Sequence, residues 1–578
     1  PVPTPPLLPR HCVLTSRAGH APFPPTPALA LPSGASATVD PTWLNGIAPS
    51  RLRATLGFSA AKGIDTVALL ETLNTTPWGD SQTLAAIARP LLSLKNPTLS
   101  GPGASPATLH AQVQATVDTL LNRQNAAGRF GLTRLDDGQG LPETQDYITD
   151  FLTRAKTAGY TVPENRLHLA LDLIESTQLQ AGTQDQTDDT STSPEDAANR
   201  ASQIASDRAT KAYAAYILTR AGRLHPQIVR DMAQSIAQHP DGAGFSLIWA
   251  DSPVANTLAT PVAIGHIATA QALDDAASTG PLSPDTLYNA AIAALGPVLK
   301  GPPPADSLLY WAHVRDLTGL MPLTAEGHDE ARTQALADRY AQLSIDPGQL
   351  DAPEKAALLE TVAALNADMP GRSLSLNGQA EPALTAHLPS ARVVSATQVK
   401  KGLTVSNTGT RPLYGTLTVR GVPSGAVAGQ AAGLSISVRY TTLSGEPLDV
   451  THLKQNDRFV VIIKGAPQAP GLQRLGLLHM LPAGWGVESV LSTDSNGYDF
   501  TGPLSETLST TFQADRLVAL VAVNPTSDET SQRSFTIAYI ARATMPGHYI
   551  RPETLVQVLG RPAIMARSAS GMTDISPP

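Results

Sequence analysis

The chain has 578 residues, 42% hydrophobic and 16% charged, with a net charge of -8 and an isoelectric point near 5.9. That length holds three or four domains of about 100 to 200 residues each; the apolar content excludes disorder of the whole, and an acidic balance without clustered Lys and Arg gives no footing for nucleic acid. No apolar run approaches the roughly 20 residues of a membrane helix, and the single cysteine, Cys12, allows no intrachain disulfide.

The chain opens Pro1-Val2-Pro3-Thr4-Pro5-Pro6 without a signal peptide, which reads as a cut from a longer polypeptide. Residues 1–66 mix prolines with apolar stretches such as Leu52-Arg53-Ala54-Thr55-Leu56-Gly57-Phe58-Ser59 and read as strands with loops. From 67 to 370 the texture is Ala- and Leu-rich, with apolar residues three and four apart and Gly or Pro at intervals, which predicts about twelve helices paired as hairpins. Leu109, Val113, Val117, Leu120 and Leu121 form one apolar stripe, closed by Asn125-Ala126-Ala127-Gly128. Further helices are expected over 146–155, from Glu164, from near Ser206 to Ala221-Gly222, and around 264–275, 283–299, 306–318, 329–343 and 353–365. The polar tract Thr183 to Asp196 reads as a solvated loop, since it lacks the glycine and closing glutamate of a calcium loop.

Beyond 370 the period changes to two. Thr404 to Val419 reads as a strand, an Asn-Thr-Gly turn and a second strand. Strands recur over Leu434 to Thr442, Asp457 to Lys464, Leu475 to Leu481, Leu517 to Val523, Ser534 to Ala543 and Ile564 to Ala569. Their spacing predicts antiparallel sandwiches, not a parallel sheet.

Several ordered motifs carry a resemblance. Pro77-Trp78-Gly79-Asp80-Ser81-Gln82, at the head of a helical stretch, is similar to the frame of the internal thioester of alpha-2-macroglobulins. Gly128-Arg129-Phe130-Gly131 and Ala158-Gly159-Tyr160-Thr161-Val162-Pro163 are similar to landmarks of the domain that carries it. Gly433 to Tyr440, Gly445-Glu446-Pro447-Leu448, Leu453 to Val461, Leu481 to Trp485, Tyr539 to Gly547 and Gly560-Arg561-Pro562 resemble the last macroglobulin-like domain of the bacterial members. The resemblance implies an α/α toroid of helical hairpins over 67–370, inserted into a CUB-like β-sandwich whose parts are 1–66 and 371–428. A C-terminal antiparallel sandwich over 429–578 would follow.

The family motif is Cys-x-Glu-Gln, with the cysteine acylated by the glutamine. In this chain Gly79 runs into Asp80-Ser81-Gln82, one residue short and without cysteine or glutamate. Only a thiolate makes that acyl linkage, so the covalent warhead is expected to be absent. The resemblance implies the C-terminal part of an endopeptidase inhibitor that acts by steric, non-covalent trapping. Its partners would be proteases and the preceding macroglobulin-like domains, its compartment the periplasm or cell surface, and it would need no cofactor. The alternative is a structural or interaction protein of the cell envelope.

Other chemistry is weakly supported. Ser81 could be a nucleophile, but no histidine is near in sequence to act as its base, and Asp80 or Ser81 reads instead as a helix N-cap. Cys12 beside His11 reads as incidental, the thirteen histidines show no zinc spacing, and Trp78 and Phe130 read as core. A rival enzyme reading takes Asp136-Asp137 or Asp188-Asp189 as an acid pair within a helical toroid. Cyclases of that shape line their cavity with aromatics, which are only 4% of this chain, so no enzyme is expected.

Overall fold

The computed structural model describes residues 28–44, 52–74, 78–94, 105–137, 142–179, 194–238, 246–248, 257–274, 283–296, 308–366, 372–382, 384, 388–420, 428–468, 473–492, 495, 497–513, 515–525, 527 and 532–578. His11, Cys12, Pro77 and Asp188-Asp189 lie outside them. The fold is mixed α and β, with several antiparallel sheets and thirteen α-helices among the described residues.

Strands from both ends of the first 420 residues share two small sheets. One runs β1 (Ala28–Leu31), β10 (Leu413–Arg420), β3 (Arg53–Ser59), β8 (Ser390–Val394); the other β2 (Ser36–Thr38), β9 (Thr404–Asn407), β6 (Leu374–Leu376), β7 (Gln379–Ala380). Leu56 and Leu417 from the first and Leu376 and Val405 from the second are buried in a common core. The Asn-Thr-Gly turn is therefore not a hairpin turn: β9 pairs with β2 and β6, whereas β10 pairs with β1 and β3. Asn407 fixes the crossing, donating from Nδ2 to the carbonyls of Leu31 at 2.9 Å and Arg411 at 2.7 Å while Oδ1 accepts the Gly409 N–H at 2.9 Å. Those bonds hold the chain open where alternation alone suggested it would fold back.

Between β3 and β6 lie α1 (Thr66–Asn74), α2 (Ser81–Ala88), α3 (Pro106–Asn122), α4 (Pro142–Thr157), α5 (Glu164–Ile174), α6 (Pro194–Arg220), α7 (Pro226–Gln238), α8 (Pro261–Leu273), α9 (Pro284–Ala294), α10 (Leu308–Glu326), α11 (Glu330–Leu343) and α12 (Ala352–Leu365). Local chemistry sets many of their starts. Ser105 and Thr108 cap α3 reciprocally with Pro106 in its first turn, and Asp351 and Glu354 do the same for α12. The even-numbered helices touch in succession, α2 to α4, α4 to α6, α6 to α8, α8 to α10, α10 to α12, and α12 returns to α2. The odd-numbered helices pack against them from α1 on α12 to α11 on α10 and α12.

Three sequence expectations shift. Pro194 already opens α6, so Pro194 to Asp196 of the polar tract are helical, and Thr183 to Ser193 lie outside the described residues. α10 runs past the expected end near 318, through Gly319 and Pro322 to Glu326, with Leu317, Leu320, Met321 and Leu323 buried in the core. A short β-hairpin, β4 (Ser246–Ile248) with β5 (Thr257–Ala259), interrupts what read as purely helical.

After α13 (Ala396–Lys400) and β10 comes the terminal sandwich. A six-stranded sheet runs β11 (Gln430–Ala432), β22 (Arg561–Arg567), β21 (Thr554–Val558), β15 (Gln473–Met480), β18 (Arg516–Val523), β17 (Thr507–Gln513). It faces a sheet of β12 (Leu434–Thr441), β14 (Arg458–Pro467), β19 (Phe535–Ala543) and β16 (Trp485–Val490) across a core that includes Phe459, Leu477, Val521 and Tyr539. A third sheet joins β13 (His452–Lys454), β23 (Gly571–Ser576) and β20 (Gly547–Arg551), and there β13 and β23 pair in parallel, against the all-antiparallel expectation.

Candidate functional site

The stretch from Trp78 to Gln82 forms the entry to α2. Gly79 has φ of +62°, a conformation that costs glycine little, and it turns the chain into the helix. Asp80 is the N-cap, its carboxylate accepting the Thr83 N–H at 2.9 Å. Ser81 is the first helical residue, wholly buried, and Gln82 follows half-buried.

Ser81 is tied rather than poised. Its N–H donates to the Leu132 carbonyl at 2.7 Å, its hydroxyl donates to the Gly131 carbonyl at 2.7 Å, and the hydroxyl oxygen accepts from Arg123 Nη1 at 3.1 Å. With its proton on a carbonyl and its oxygen facing a cation, this hydroxyl has no base among its hydrogen-bond partners and cannot act as a nucleophile in this arrangement. The same Arg123 nitrogen reaches the carbonyls of Gly79 at 3.0 Å and Leu132 at 3.3 Å. Burial holds Arg123 below the usual range, with Asp137 and Asp80 opposing it.

The loop over 123–137 is built to make those contacts. A Cβ at Gly131 would fall 1.8 Å from the Arg134 carbonyl oxygen, and one at Gly128, where φ is +86°, would fall 2.3 Å from that of Leu169. Asp137 accepts the Thr133 and Arg134 N–H groups, each at 2.9 Å, and also the Thr133 hydroxyl. Asp136 accepts from Asn125 Nδ2 at 2.9 Å. The pair that sequence suggested as catalytic acids thus organises a loop.

The locus also meets the terminal sandwich. Trp78 is buried with its six-membered ring over Gly476 of β15, where a Cβ would lie 2.6 Å from the ring. Thr133 Oγ1 meets Ser509 Oγ of β17 at 3.1 Å, and farther along Arg315 Nη2 donates to the Gly560 carbonyl at 2.9 Å.

A second constellation was not singled out from sequence. Each even-numbered helix contributes to one network. Arg89, just after α2, donates from Nε to Glu360 of α12 at 2.6 Å and from Nη1 to Asp150 of α4 at 2.9 Å. Arg154 of α4 pairs with Asp150 at 2.9 Å and with Glu326 of α10 at 3.1 Å, and Arg220 of α6 also pairs with Glu326. Tyr216 donates to Glu326 at 2.7 Å, Tyr213 to Asp150 at 3.3 Å, and His266 of α8 stacks on Tyr213 with centroids 4.4 Å apart. Burial alone would raise the Asp150 carboxyl, but Arg154, Arg89 and Arg220 more than reverse it and hold it well below the usual range. Burial, with help from Arg89 and Arg154 and against Asp150, pushes His266 down to about 3, so it is neutral at pH 7. Three arginines face three carboxylates, a balanced set that fastens helices together rather than presenting a free acid or base. Asp150 and Arg154, four apart among the buried Ile148, Phe151, Leu152 and Ala155, are the signal from which sequence could have found it.

Among the described residues no group of three or more His, Cys, Asp or Glu is placed to hold a metal ion, and no helix is long and apolar enough to cross a membrane.

No family model matches the chain. It is 24% identical over 569 residues to an alpha-2-macroglobulin of Xylella fastidiosa, aligning 93% of this chain with 31% of that protein, and a second strain's protein matches at 24% over 553 residues. The chain therefore spans about a third of the length of the curated relatives it matches. Among solved structures it is similar to native alpha-2-macroglobulin of Escherichia coli from domain MG7 to the C-terminus, with a TM-score of 0.73 and 21% identity over 96% of this chain and 82% of that one. It is similar also to Salmonella alpha-2-macroglobulin reacted with methylamine, with a TM-score of 0.71 and 22% identity over 96% of this chain and 33% of that one.

Proposed function

We propose that this chain, a relative of the bacterial alpha-2-macroglobulins, is the C-terminal part of an extracytoplasmic protease inhibitor that encloses its target without forming a covalent bond. The observation that carries the reading is the agreement with two alpha-2-macroglobulins along 93% and 91% of the chain. In this reading residues 67–370 are an α/α toroid, supported by the unbroken succession of even-numbered helices from α2 back to α2. Residues 1–66 and 371–428 are the two parts of a CUB-like domain, supported by sheets that draw strands from both sides of the helices. Residues 429–578 are the last macroglobulin-like domain, and Pro77 to Gln82 are the degenerate thioester locus.

The Salmonella relative is described as reacted with methylamine. Here Ser81 stands at the helix start with its hydroxyl fixed between Gly131 and Arg123, and no thiolate is available beside Gly79 to hold an acyl group. Mass spectrometry after methylamine treatment should find Gln82 unmodified.

The decisive experiment incubates the full-length parent with several endopeptidases and assays each on small and large substrates. Retained cleavage of small substrates with lost cleavage of large ones supports enclosure, and the mixture should fall apart on a denaturing gel. A high-mass band containing both proteins would overturn the non-covalent part. Equal loss or retention on both substrates would favour a structural or interaction protein of the envelope.

A further inference from the structure

A cleft of about 510 Å³ opens at one edge of the terminal sandwich, within the range of about 300 to 1,000 Å³ typical of ligand pockets. β11 and β12 are the end strands of their two sheets, and the chain passes from one to the other at Gly433, where φ is +66°. Ile436, Val438 and Tyr440 turn into the cleft as partly buried apolar side chains lying against the core.

The charge in the cleft is one-sided. Its charged lining residues are Arg551 and Arg567. The guanidinium of Arg551 lies 5.3 Å above the Tyr440 ring, and its Nη2 would be 2.6 Å from a Cβ at position 571, so Gly571 leaves room for it. Arg567 is 4% exposed, and its Nε and Nη2 have no hydrogen-bond partner. Asp449 and Glu553 are close enough to feel Arg551 and Arg567 respectively, yet no ion pair to either arginine forms among the described residues. In a chain of net charge -8, a cleft with two cations that form no ion pair among the described residues, and an apolar wall, is a local trap for an anion.

We propose that this cleft binds a carboxylate carried on a short apolar or aromatic body. The planar guanidinium of Arg551 matches a carboxylate through two parallel N–H groups, the face of Ile436, Val438 and Tyr440 takes the body, and Arg567 adds a second positive charge. A free monocarboxylic acid and the C-terminal residue of a peptide present the same chemistry.

Calorimetric titration of the whole chain tests this with phenylacetate, phenylacetamide, and an acetylated tripeptide ending in phenylalanine as its free acid and its amide. Saturable binding of an acid that weakens with salt, with no binding of the matching amide, is expected. Arg551→Met should weaken it about tenfold or more while Arg551→Lys retains part of it. Binding of the tripeptide acid alone would identify a peptide terminus as the source, and equal binding of phenylacetate a free acid. If Arg551→Met lowers the melting midpoint, Ala569→Trp, placed at an exposed lining position outside the strands, should abolish binding by filling the cleft. Amides binding as well as acids, acid binding unchanged in these variants, or no saturable acid binding would each overturn the proposal.

Discussion

The helical ring and the terminal sandwich bury their centres in opposite ways. Where the even-numbered helices converge, Arg89, Asp150, Arg154, Glu326 and Glu360 satisfy one another. Between the sandwich sheets the centre is apolar, built from residues such as Phe459, Leu477, Val521 and Tyr539. His479 adds a polar atom there, its Nδ1 lying 2.6 Å from Thr554 Oγ1. A sheet alternates faces and can turn a whole row of apolar side chains inward. Helices packed in a closed succession bring charged side chains from several elements to one place, and each buried charge must find a partner there. The ring therefore adds a few directional pairs to its apolar core, whereas the sandwich relies on many interchangeable contacts.

Removing one member should separate the two most sharply. Asp150→Asn leaves Arg89 and Arg154 buried with a weakened partner, and breaking a buried pair costs about 3 to 5 kcal/mol. Ile463→Val in the sandwich core, which removes one buried methylene, should cost about 0.5 to 1.5 kcal/mol. Denaturant unfolding of the two variants measures both. Equal costs would mean that the network is no more than a solvated decoration.

Acid should act against the buried histidine of each region, while in the ring the buried carboxyls of Asp316 and Glu354, which burial pushes up to about 8, favour the fold as they take up protons. Burial pushes His266 down to about 3 and His479 down to about 4, against about 6.5 in an unfolded chain. As pH falls below about 6.5 the unfolded chain takes up protons that the folded one refuses, so stability declines by up to about 1.4 kcal/mol per pH unit for each group. Asp150 adds to the ring's loss at still lower pH, since its depressed folded value means that its stabilisation vanishes only as pH falls below the unfolded value of about 3.9. His266→Phe should flatten the decline of the helical signal between about pH 6.5 and 4.5; an unchanged slope would remove His266 from the account.

Sequence carried the change from helices to strands well and the contacts between those stretches poorly. The helices from α1 to α12 and the strands after them were legible because an apolar stripe of 3.6 or 2 residues is a local property. The axial network is not local: Arg89 and Glu360 are partners across 271 positions, and charged residues in amphipathic helices ordinarily face solvent. The same holds for Trp78, whose burial was expected but whose partner, Gly476, is a residue without a side chain to announce it. At the locus itself the missing cysteine was plain in sequence, while the fastening of Ser81 to Gly131, Leu132 and Arg123 needed the return of a loop some 50 positions away.

The joint between the regions can be loosened on its own. Gly476→Val keeps β geometry but places a side chain where the Trp78 ring lies, 2.6 Å from the new Cβ. Overpacking of this kind costs about 1 to 3 kcal/mol, and because the clash lies between regions it should be relieved by their separation. Limited proteolysis near the α2 entry and an increase in radius of gyration by solution scattering should appear together, with sandwich unfolding unchanged. Destabilisation of the sandwich itself, without separation, would mean that Trp78 does not carry the contact.

Two single changes test the helix start. Asp80 gives one cap bond, from its carboxylate to the Thr83 N–H, so Asp80→Ala should lower stability by about 1 kcal/mol. Ser81→Ala should cost more, about 1 to 3 kcal/mol, because it leaves the buried Gly131 carbonyl without its hydroxyl donor and Arg123 with one acceptor fewer. If the locus is structural, neither change should alter how the full-length parent treats a protease once temperature is set well below both melting midpoints. If Asp80→Ala abolished size-selective inhibition while shifting the midpoint by no more than a cap's worth, the carboxylate would have a role beyond starting α2. The comparison between a charged ring and an apolar sandwich would then need a third element, a working site at their junction.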